Sequence, residues 1–495
     1  MGRPGLQLFP RRAAGRLSFG ALTLALVMAP LDFGSTRTLP YHILVLLVAF
    51  AGCLWALADG LREPSPGAPW LMVAGGGLVA ASVLAWETWL PFPTPPDFTL
   101  RHFHQIAGRW PSSIVPSDKG WICAWCATAA LALLALHRFC LDGERRLVLA
   151  IAITATGAVV AVLGLLQNAT HARGIYWERS ARMAGAFFGP FYHHTSAGAY
   201  LNSVWPLAAG LALRGLHGTG ARDRRLGLLA GASAFVILVA HAGHISRFPQ
   251  VIAAVAFTAG VLWVRPWRPA ARAGGPSPGR LPLAAAGLAV AVLAVVLGGR
   301  TGDIRSRWGA LRFSELAGAG SAASPVPPAQ WDSAMRPDLF VPSGHADFLL
   351  GDRGAAYQTA MRAVSERPWF GWGPAGWMAA AAANTVDPFI RTFFQMMQFV
   401  HEDYLQAVVE WGAVGAAGWG ILILGGVARS LAVLGSRPEL DFVGAGAAMG
   451  LAAVLAQSLI DFPLQIPAIQ MNAAALAAIA WSTRPPSAAN GLTGK

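Results

Sequence analysis

His401-Glu402-Asp403-Tyr404-Leu405-Gln406-Ala407-Val408-Val409-Glu410-Trp411-Gly412 opens an apolar run that continues to residue 428. Ionisable and hydrogen-bonding groups crowd the mouth of a segment long enough to cross a membrane, in a chain where only 12% of residues are charged. Such groups are costly beside hydrocarbon and tend to mark function. Read as a helix, the stretch puts Glu402 and Asp403 in the first turn, where carboxylates offset the positive end of the macrodipole. The helical period places His401, Tyr404, Leu405 and Val408 on one face, with Gln406 one turn before Glu410 on another. A charged cap at the membrane interface accounts for Glu402 and Asp403. It leaves Gln406 and Glu410, deeper in, without a reason.

The rest of the chain has the same character. Its 495 residues would make about three soluble domains by length, but 55% are hydrophobic and the mean hydropathy is +0.49, which marks an integral membrane protein. Runs of roughly 20 apolar residues, the length that a bilayer core demands, begin near residue 17 and recur near 41–59, 70–90, 121–141, 147–167, 194–213, 226–243, 248–264, 281–298, 403–428, 439–460 and 464–482. The expected fold is therefore all-α, with about twelve transmembrane helices. The first run follows Arg3, Arg11, Arg12 and Arg16 and leads to Pro30-Leu31-Asp32-Phe33-Gly34, with no small-residue cleavage site. It reads as an uncleaved helix. Three regions follow: a membrane part over 1–298, an extramembrane section over 299–402, and a membrane part with a short tail over 403–495.

Arginine sets the orientation. Lys and Arg number 37 against 24 Asp and Glu, and lysine occurs only at Lys119 and Lys495. The arginines are parcelled between apolar runs and form no single patch, which argues against nucleic acid as a partner. Arg62, Arg138, Arg145, Arg146, Arg214, Arg222, Arg224, Arg225, Arg265, Arg268, Arg272, Arg280, Arg429, Arg437 and Arg484 fall on the side of the basic N-terminus. The positive-inside rule makes that face cytoplasmic, with both termini. His401 then lies at the outer end of its helix. The topology rule does not explain arginines on the outer face, at Arg173, Arg179 and Arg182 and in the short turn His244-Ile245-Ser246-Arg247. Snorkelling to headgroups suffices for Arg173 and Arg179. Arg182 and Arg247, pinned at the membrane surface, present planar forks suited to phosphate oxygens.

Within the outer section, Gly318 to Pro342 reads as irregular loop. From Asp352 an amphipathic helix begins, with Tyr357, Ala360, Met361 and Val364 on one face and Arg353 and Arg362 on its flanks. It stops at Arg367-Pro368-Trp369-Phe370-Gly371-Trp372-Gly373-Pro374, whose aromatic residues suit an interface. A second short helix is expected around Ala375 to Asn384. Cys123 and Cys126 form a lone Cys-x-x-Cys with no second pair, and His193-His194 are neighbours whose side chains should diverge, so no metal site is expected. No phosphate-cradling loop and no repeat of solenoid length is present.

Several of these stretches resemble the bacterial O-antigen ligase and O-antigen polymerase family of membrane glycosyltransferases. Ala29 to Gly34 is similar to its first-helix exit. Arg182-Met183-Ala184-Gly185-Ala186-Phe187, with Tyr200-Leu201, is similar to its Arg-x-x-Gly-x-Phe segment. Ser246-Arg247 resembles its Ser-Arg-Gly turn, with Phe248 in place of the glycine. The 367–374 segment and His401 to Gly412 resemble its Gly-x-Gly-Pro and His-x-x-Tyr-Leu-Gln-x-x-x-Glu-x-Gly signatures, and Asp461-Phe462-Pro463 recurs in some members. The resemblance implies a GT-C-like fold with one large periplasmic loop containing short helices, in the bacterial inner membrane. It implies transfer of a glycan from undecaprenyl pyrophosphate to lipid A core, a growing glycan or protein among the membrane lipids, without a cofactor or metal. His401 would be the general base, Arg182 and Arg247 would meet the pyrophosphate, and Arg353 would be a further phosphate contact. Asp403, Tyr404, Gln406 and Glu410 would line the substrate or orient the base. A transporter or flippase of lipid-linked sugars also needs many helices and outward arginines, but it usually binds cargo near the midplane. A noncatalytic scaffold is the third reading.

The orientation has a direct test. In a chain whose native cysteines are replaced, Ser333→Cys should react with a membrane-impermeant maleimide from outside intact inner membrane, and Ala221→Cys should not. The reverse pattern would overturn the topology.

Overall fold

A computed structural model describes residues 11–58, 70–89, 116–178, 187–243, 246–264, 353–374, 376–377, 380–381, 384, 399–436 and 441–483. Among the described residues the fold is helical and no strand forms. The helices are α1 (Arg11–Leu31), α2 (Thr38–Ala58), α3 (Trp70–Trp89), α4 (Pro116–Cys140), α5 (Gly143–Ala169), α6 (His194–His217), α7 (Ala221–Gly243), α8 (Arg247–Val264), α9 (Arg353–Glu366), α10 (Asp403–Ser436), α11 (Phe442–Gln457) and α12 (Pro467–Trp481). Each apolar run read from the sequence carries a helix except 281–298, which lies outside the described residues. Among the described residues, five segments are long and apolar enough to cross a membrane, in α1, α2, α5, α7 and α10. Helices α3, α4, α8 and α11 carry shorter apolar stretches.

Helix α6 lies at the centre, packed along α7 and α11 and touching α5 and α8. It is buried over most of its length, so it keeps no lipid-facing stripe and tolerates polar side chains that find partners. Asn202 Nδ2 donates to the Pro249 carbonyl in the first turn of α8 at 2.9 Å. Asn472 Nδ2 on α12 donates to Ser203 Oγ at 2.6 Å. The approach of α11 depends on small residues. A Cβ on Gly450 would lie 2.2 Å from the Ser203 carbonyl oxygen, and one on Gly446 would lie 2.5 Å from that of Pro206. Between helices in lipid, such backbone proximity supplies the dispersion contact that the hydrophobic effect does not.

Helix α10 is broken at Gly412, whose φ of 64° and ψ of −176° belong to a region that essentially only glycine occupies. In an unbroken helix the amides of Ala413 and Val414 would bond the carbonyls of Val409 and Glu410. Here Ala413 N–H donates to Pro368 O at 2.8 Å and Val414 N–H to Trp369 O at 3.1 Å. The two released carbonyls accept instead from Trp372 N–H at 2.9 Å and Gly373 N–H at 2.8 Å. Two helical bonds are thus exchanged for four bonds to the 368–373 turn. The approach leaves no room for side chains: a Cβ on Gly371 would lie 2.5 Å from the Glu410 carbonyl oxygen, and one on Gly412 2.3 Å from the Trp369 carbonyl.

That turn ends α9, which faces a small core of its own. Ala356, Ala360, Ala363, Trp372, Trp377, Val400 and Val409 are buried together, with Tyr357, Val364 and Leu405 against them. The amphipathic face differs from the sequence reading at Met361, which is 59% exposed. The buried stripe is made by small alanines and is narrower than the expected one. The aromatic residues of the turn also divide, Trp369 lying exposed and Trp372 buried with Nε1 donating to Ala363 O at 3.0 Å. Of the expected second helix, Trp377, Ala380 and Ala381 are helical, and most of its other residues lie outside the described ones.

The two ends of the bundle differ. At one end, Arg146 pairs with Asp441 at 2.6 Å, and Asp441 caps α11 by accepting from Gly444 N–H at 3.0 Å. Arg138, Arg214, Arg222 and Arg429 belong to the same end. The opposite end carries the exits of α1 and α5 and the starts of α6, α8, α10 and α12. Non-glycine residues in left-handed conformation gather at that end: Phe33, Ser35, His171, Tyr176, Trp177 and His401. Each costs on the order of 1–3 kcal/mol.

Candidate active site

The polar end of the bundle is built around the first turn of α10. A helix start leaves its first amides without intrahelical partners, and here those of Asp403, Tyr404 and Leu405 are met, while Gln406 makes the first bond of the helix. Asp403 N–H donates to Ser458 O at 3.0 Å and Gln406 N–H to Glu402 O at 3.0 Å. The Glu402 carboxylate accepts from Tyr404 N–H at 3.1 Å and from Leu405 N–H at 2.5 Å. Glu402 is thus the cap. Burial raises its pKa above the ordinary glutamate value, and the two amides that it accepts from oppose that shift.

Asp403 does something else. The sequence reading gave it the same dipole role as Glu402, but its side chain reaches back to the turn between α11 and α12. Oδ2 accepts from Ser458 Oγ at 2.9 Å and from Leu464 N–H at 2.8 Å, and Oδ1 accepts from Gln465 Nε2 at 3.0 Å. The side chain is buried, and three donors from residues 458–465 hold it. It clamps the start of α10 to that turn. Gln406 is a second tie: its Oε1 accepts from Val400 N–H at 3.0 Å and its Nε2 donates to Glu410 Oε1 at 3.1 Å. The one-turn spacing of Gln406 and Glu410 read from the sequence is a contact, and both side chains are buried. Tyr404 donates its hydroxyl to Leu455 O at 2.7 Å.

His401 lies outside the helix, so it does not share the face of Tyr404, Leu405 and Val408 expected from the period. Its φ is +65°, a left-handed conformation that histidine adopts more readily than most residues but still at a cost. Contacts to α9 and to Phe462 hold it there. Tyr357 of α9 donates its hydroxyl to the His401 carbonyl at 3.3 Å. The imidazole stands edge-on to the Phe462 ring at 4.7 Å. Phe462 in turn stacks on Phe399 at 4.6 Å. The residue is half-buried, with Nδ1 of the ring buried, and its position is fixed by α9 and by the turn after α11.

The other expected site residues are less fully placed. Arg247 is the first residue of α8 and Arg353 the first of α9. Ser246, just before Arg247, is buried. Arg182 lies outside the described residues. Among the described residues no group of three or more His, Cys, Asp or Glu is arranged to hold a metal ion. His193 and His194 do not diverge: His193 precedes α6 in an extended conformation, and the two rings stack at 4.9 Å. Sequence reasoning missed Ser458, Gln465 and Phe462 as partners of the site. The signal was Asp461-Phe462-Pro463, a motif too short to say what it touches.

Residues 232–420 match the O-antigen ligase family. This match, over less than half of the chain, supports its assignment to the O-antigen ligase family. No curated protein matches the chain. The matched stretch holds Arg247, Arg353 and the whole of His401 to Gly412, together with the turn that docks on the break of α10. Arg182 and the Asp461-Phe462-Pro463 turn fall outside it. The match supports a glycosyltransferase-type enzyme of lipid-linked glycans, and the apolar helices support a multi-pass membrane protein.

The clamp predicts an asymmetric pair of variants. Asp403→Ala leaves buried donors of the 458–465 turn unmatched and should cost about 3 kcal/mol, read as a lower thermal midpoint in detergent. Asp403→Asn keeps an acceptor for Leu464 N–H, and Gln465 can turn its amide over, so most of that stability should remain. An alanine variant that melts with the wild type would refute the clamp.

Proposed function

We infer that the protein is a metal-independent, inverting glycosyltransferase that moves an oligosaccharide from undecaprenyl pyrophosphate to an acceptor hydroxyl at the periplasmic face, in O-antigen ligation or surface polysaccharide polymerisation. The observation that carries the reading is His401, held half-buried in a strained conformation at the polar end of the bundle, inside the stretch that matches the family. Strained residues at such positions point to function. An imidazole titrates near neutrality and is suited to take a proton there.

In this reading the acceptor oxygen attacks the anomeric carbon from the face opposite the leaving group. His401 takes the hydroxyl proton as the new C–O bond forms. The bond from the anomeric carbon to the pyrophosphate oxygen breaks, and its electron pair leaves with undecaprenyl pyrophosphate. One displacement inverts the anomeric centre. Arg182 and Arg247 neutralise the departing pyrophosphate as fixed cations, with Arg353 as a further contact, so that the charge needs no metal. Asp403, Gln406 and Glu410, engaged with protein groups, keep the His401 segment in place, and Tyr404, partly exposed, lines the approach. The full fold in this reading is GT-C-like, with about twelve spans, both termini cytoplasmic and the site facing the periplasm of the inner membrane. The grouping of ionisable side chains at one end favours chemistry at a surface over passage of cargo through the midplane.

The test is glycan transfer in proteoliposomes from a defined undecaprenyl-pyrophosphate oligosaccharide in EDTA, with core lipid, a second carrier-linked glycan and a protein as acceptors. Wild type should form product, and His401→Ala and Arg247→Lys should each lower the rate about 100-fold. The acceptor used separates ligase from polymerase. A folded wild type that makes no product but moves the carrier between leaflets would replace this reading with a flippase.

A further inference from the structure

The exit of α1, similar in sequence to that of the family, has no part in the chemistry above. At this exit three segments distant in sequence converge: residues 31–37, 175–178 and 191–193. Tyr176 donates its hydroxyl to the Leu31 carbonyl. Arg37 donates Nε to the Tyr192 hydroxyl and pairs through Nη2 with Glu178 Oε2 at 3.2 Å. The Arg37 guanidinium lies 3.5 Å from the centroid of the Phe33 ring. Phe33 stacks on Tyr192 at 5.6 Å and meets Tyr176 edge-on at 5.5 Å. Trp177 extends the group, its Nε1 donating to Thr170 Oγ1 at 2.8 Å. The cluster is open: Tyr176 is 39% and Trp177 46% exposed, and the side chains of Arg37 and Glu178 are 43% and 56% exposed.

Aromatic side chains at a membrane surface commonly form an interfacial belt. A belt needs no particular backbone, and here the backbone is unusual. Phe33, Gly34 and Ser35 are left-handed in succession, at φ of 53°, 65° and 55°, and Tyr176 and Trp177 are left-handed at 53° and 60°. Strain concentrated on two turns that carry exposed rings points to a use for those rings. The charge pattern says which use. Among the described residues of the cluster, Arg37 is matched by Glu178 and also feels the Asp32 carboxylate, which acts on Tyr176 as well, so a lipid phosphate gains little from Arg37. What remains is a set of ring faces beside two carboxylates and one guanidinium. A sugar ring is the complement: its C–H face covers an aromatic ring, and its hydroxyls donate to a carboxylate and accept from a guanidinium.

The cluster also adjoins the proposed base. A Cβ on Gly34 would meet the Phe191 ring at 3.1 Å and Ile466 Cγ2 at 3.4 Å. Ile466 closes the short helical turn Pro463–Gln465, and Phe462, just before that turn, is the ring that His401 stands against. The α1 exit and the imidazole thus both border the turn 462–466.

We propose that Phe33, Arg37, Tyr176, Trp177, Glu178 and Tyr192 form a saccharide-binding platform that holds sugar units beyond the reacting one while the reacting end lies at His401. The platform rests on the glycosyltransferase reading for its role in transfer. Its ligand is a hydroxyl-rich oligosaccharide, contributed by the donor or by the acceptor.

The test uses full-length protein in proteoliposomes, with Trp177→Ala, Glu178→Gln and the conservative Trp177→Phe. Donors and acceptors of one and of several sugars are each varied with the other substrate held constant. Trp177→Ala and Glu178→Gln should each raise KM about tenfold for the long member of one series and less than twofold for its short member, and Trp177→Phe should restore most of the loss. The series that responds names the source of the glycan. Binding of the free oligosaccharide to detergent-solubilised protein, by titration calorimetry, is measured in parallel and should weaken about tenfold in Trp177→Ala. Folded variants with unchanged KM in both series and unchanged calorimetric affinity would overturn the platform, as would equal effects on short and long substrates. So would a defect confined to membrane yield and thermal stability, the mark of an interfacial anchor. A wild type that binds the oligosaccharide through Trp177 yet makes no product would leave the platform standing and remove the transferase reading.

Discussion

The exchange of backbone hydrogen bonds at the break of α10 is the constraint on which the polar end depends. A helix interrupted among apolar neighbours exposes amides and carbonyls that lipid cannot satisfy, and unwound backbone at membrane depth persists only where protein or water takes up those groups. Here the turn 368–373 takes them up, as Ala413 and Val414 give their amides to it and Val409 and Glu410 receive two in return. The cost of the break falls on two glycines, Gly371 and Gly412, where the two backbones come too close for a Cβ. The gain is that the turn ending α9 is joined to α10 by main-chain bonds.

From that joint the rest follows in short steps. Helix α9 brings Tyr357 to the His401 carbonyl. The turn between α11 and α12, held by Asp403, brings Phe462 to the His401 ring. The histidine is therefore positioned by two parts of the chain that approach it from opposite directions in sequence, and neither would be in place without the start of α10. Glu410, one turn inside, shares both systems: its carbonyl accepts from Gly373 and its side chain from Gln406. In the proposed reading, a base held in this way loses little in reorganisation when an acceptor arrives.

Much of this is legible in the sequence, and what is not has physical reasons. The apolar runs locate helices because hydrocarbon demands length and composition, and these are written locally. The pairing of Gln406 with Glu410 is likewise local, since one helical turn separates them. The break is not legible. Gly412 stands in a run that also holds Gly415, Gly418 and Gly420, and nothing in the run says which glycine leaves the helix until the partner turn is in place. The partners of Asp403 are hidden for the same reason: its three donors lie more than 50 residues away, and the period of its own helix points only to the dipole. His401 looks like a member of the helical face because the period extends naturally through it, whereas Glu402 has already capped the helix.

Hydrogen exchange on detergent-solubilised wild type probes the joint most directly, read at the amides of Trp372, Gly373, Ala413 and Val414. Bonds within one cooperative unit open together. The account predicts that all four amides are protected and exchange with one opening free energy. Protection of Ala413 and Val414 alone, with Trp372 and Gly373 exchanging as freely as open loop, would mean that α10 is an ordinary continuous helix, and the account of how the site is held would fail.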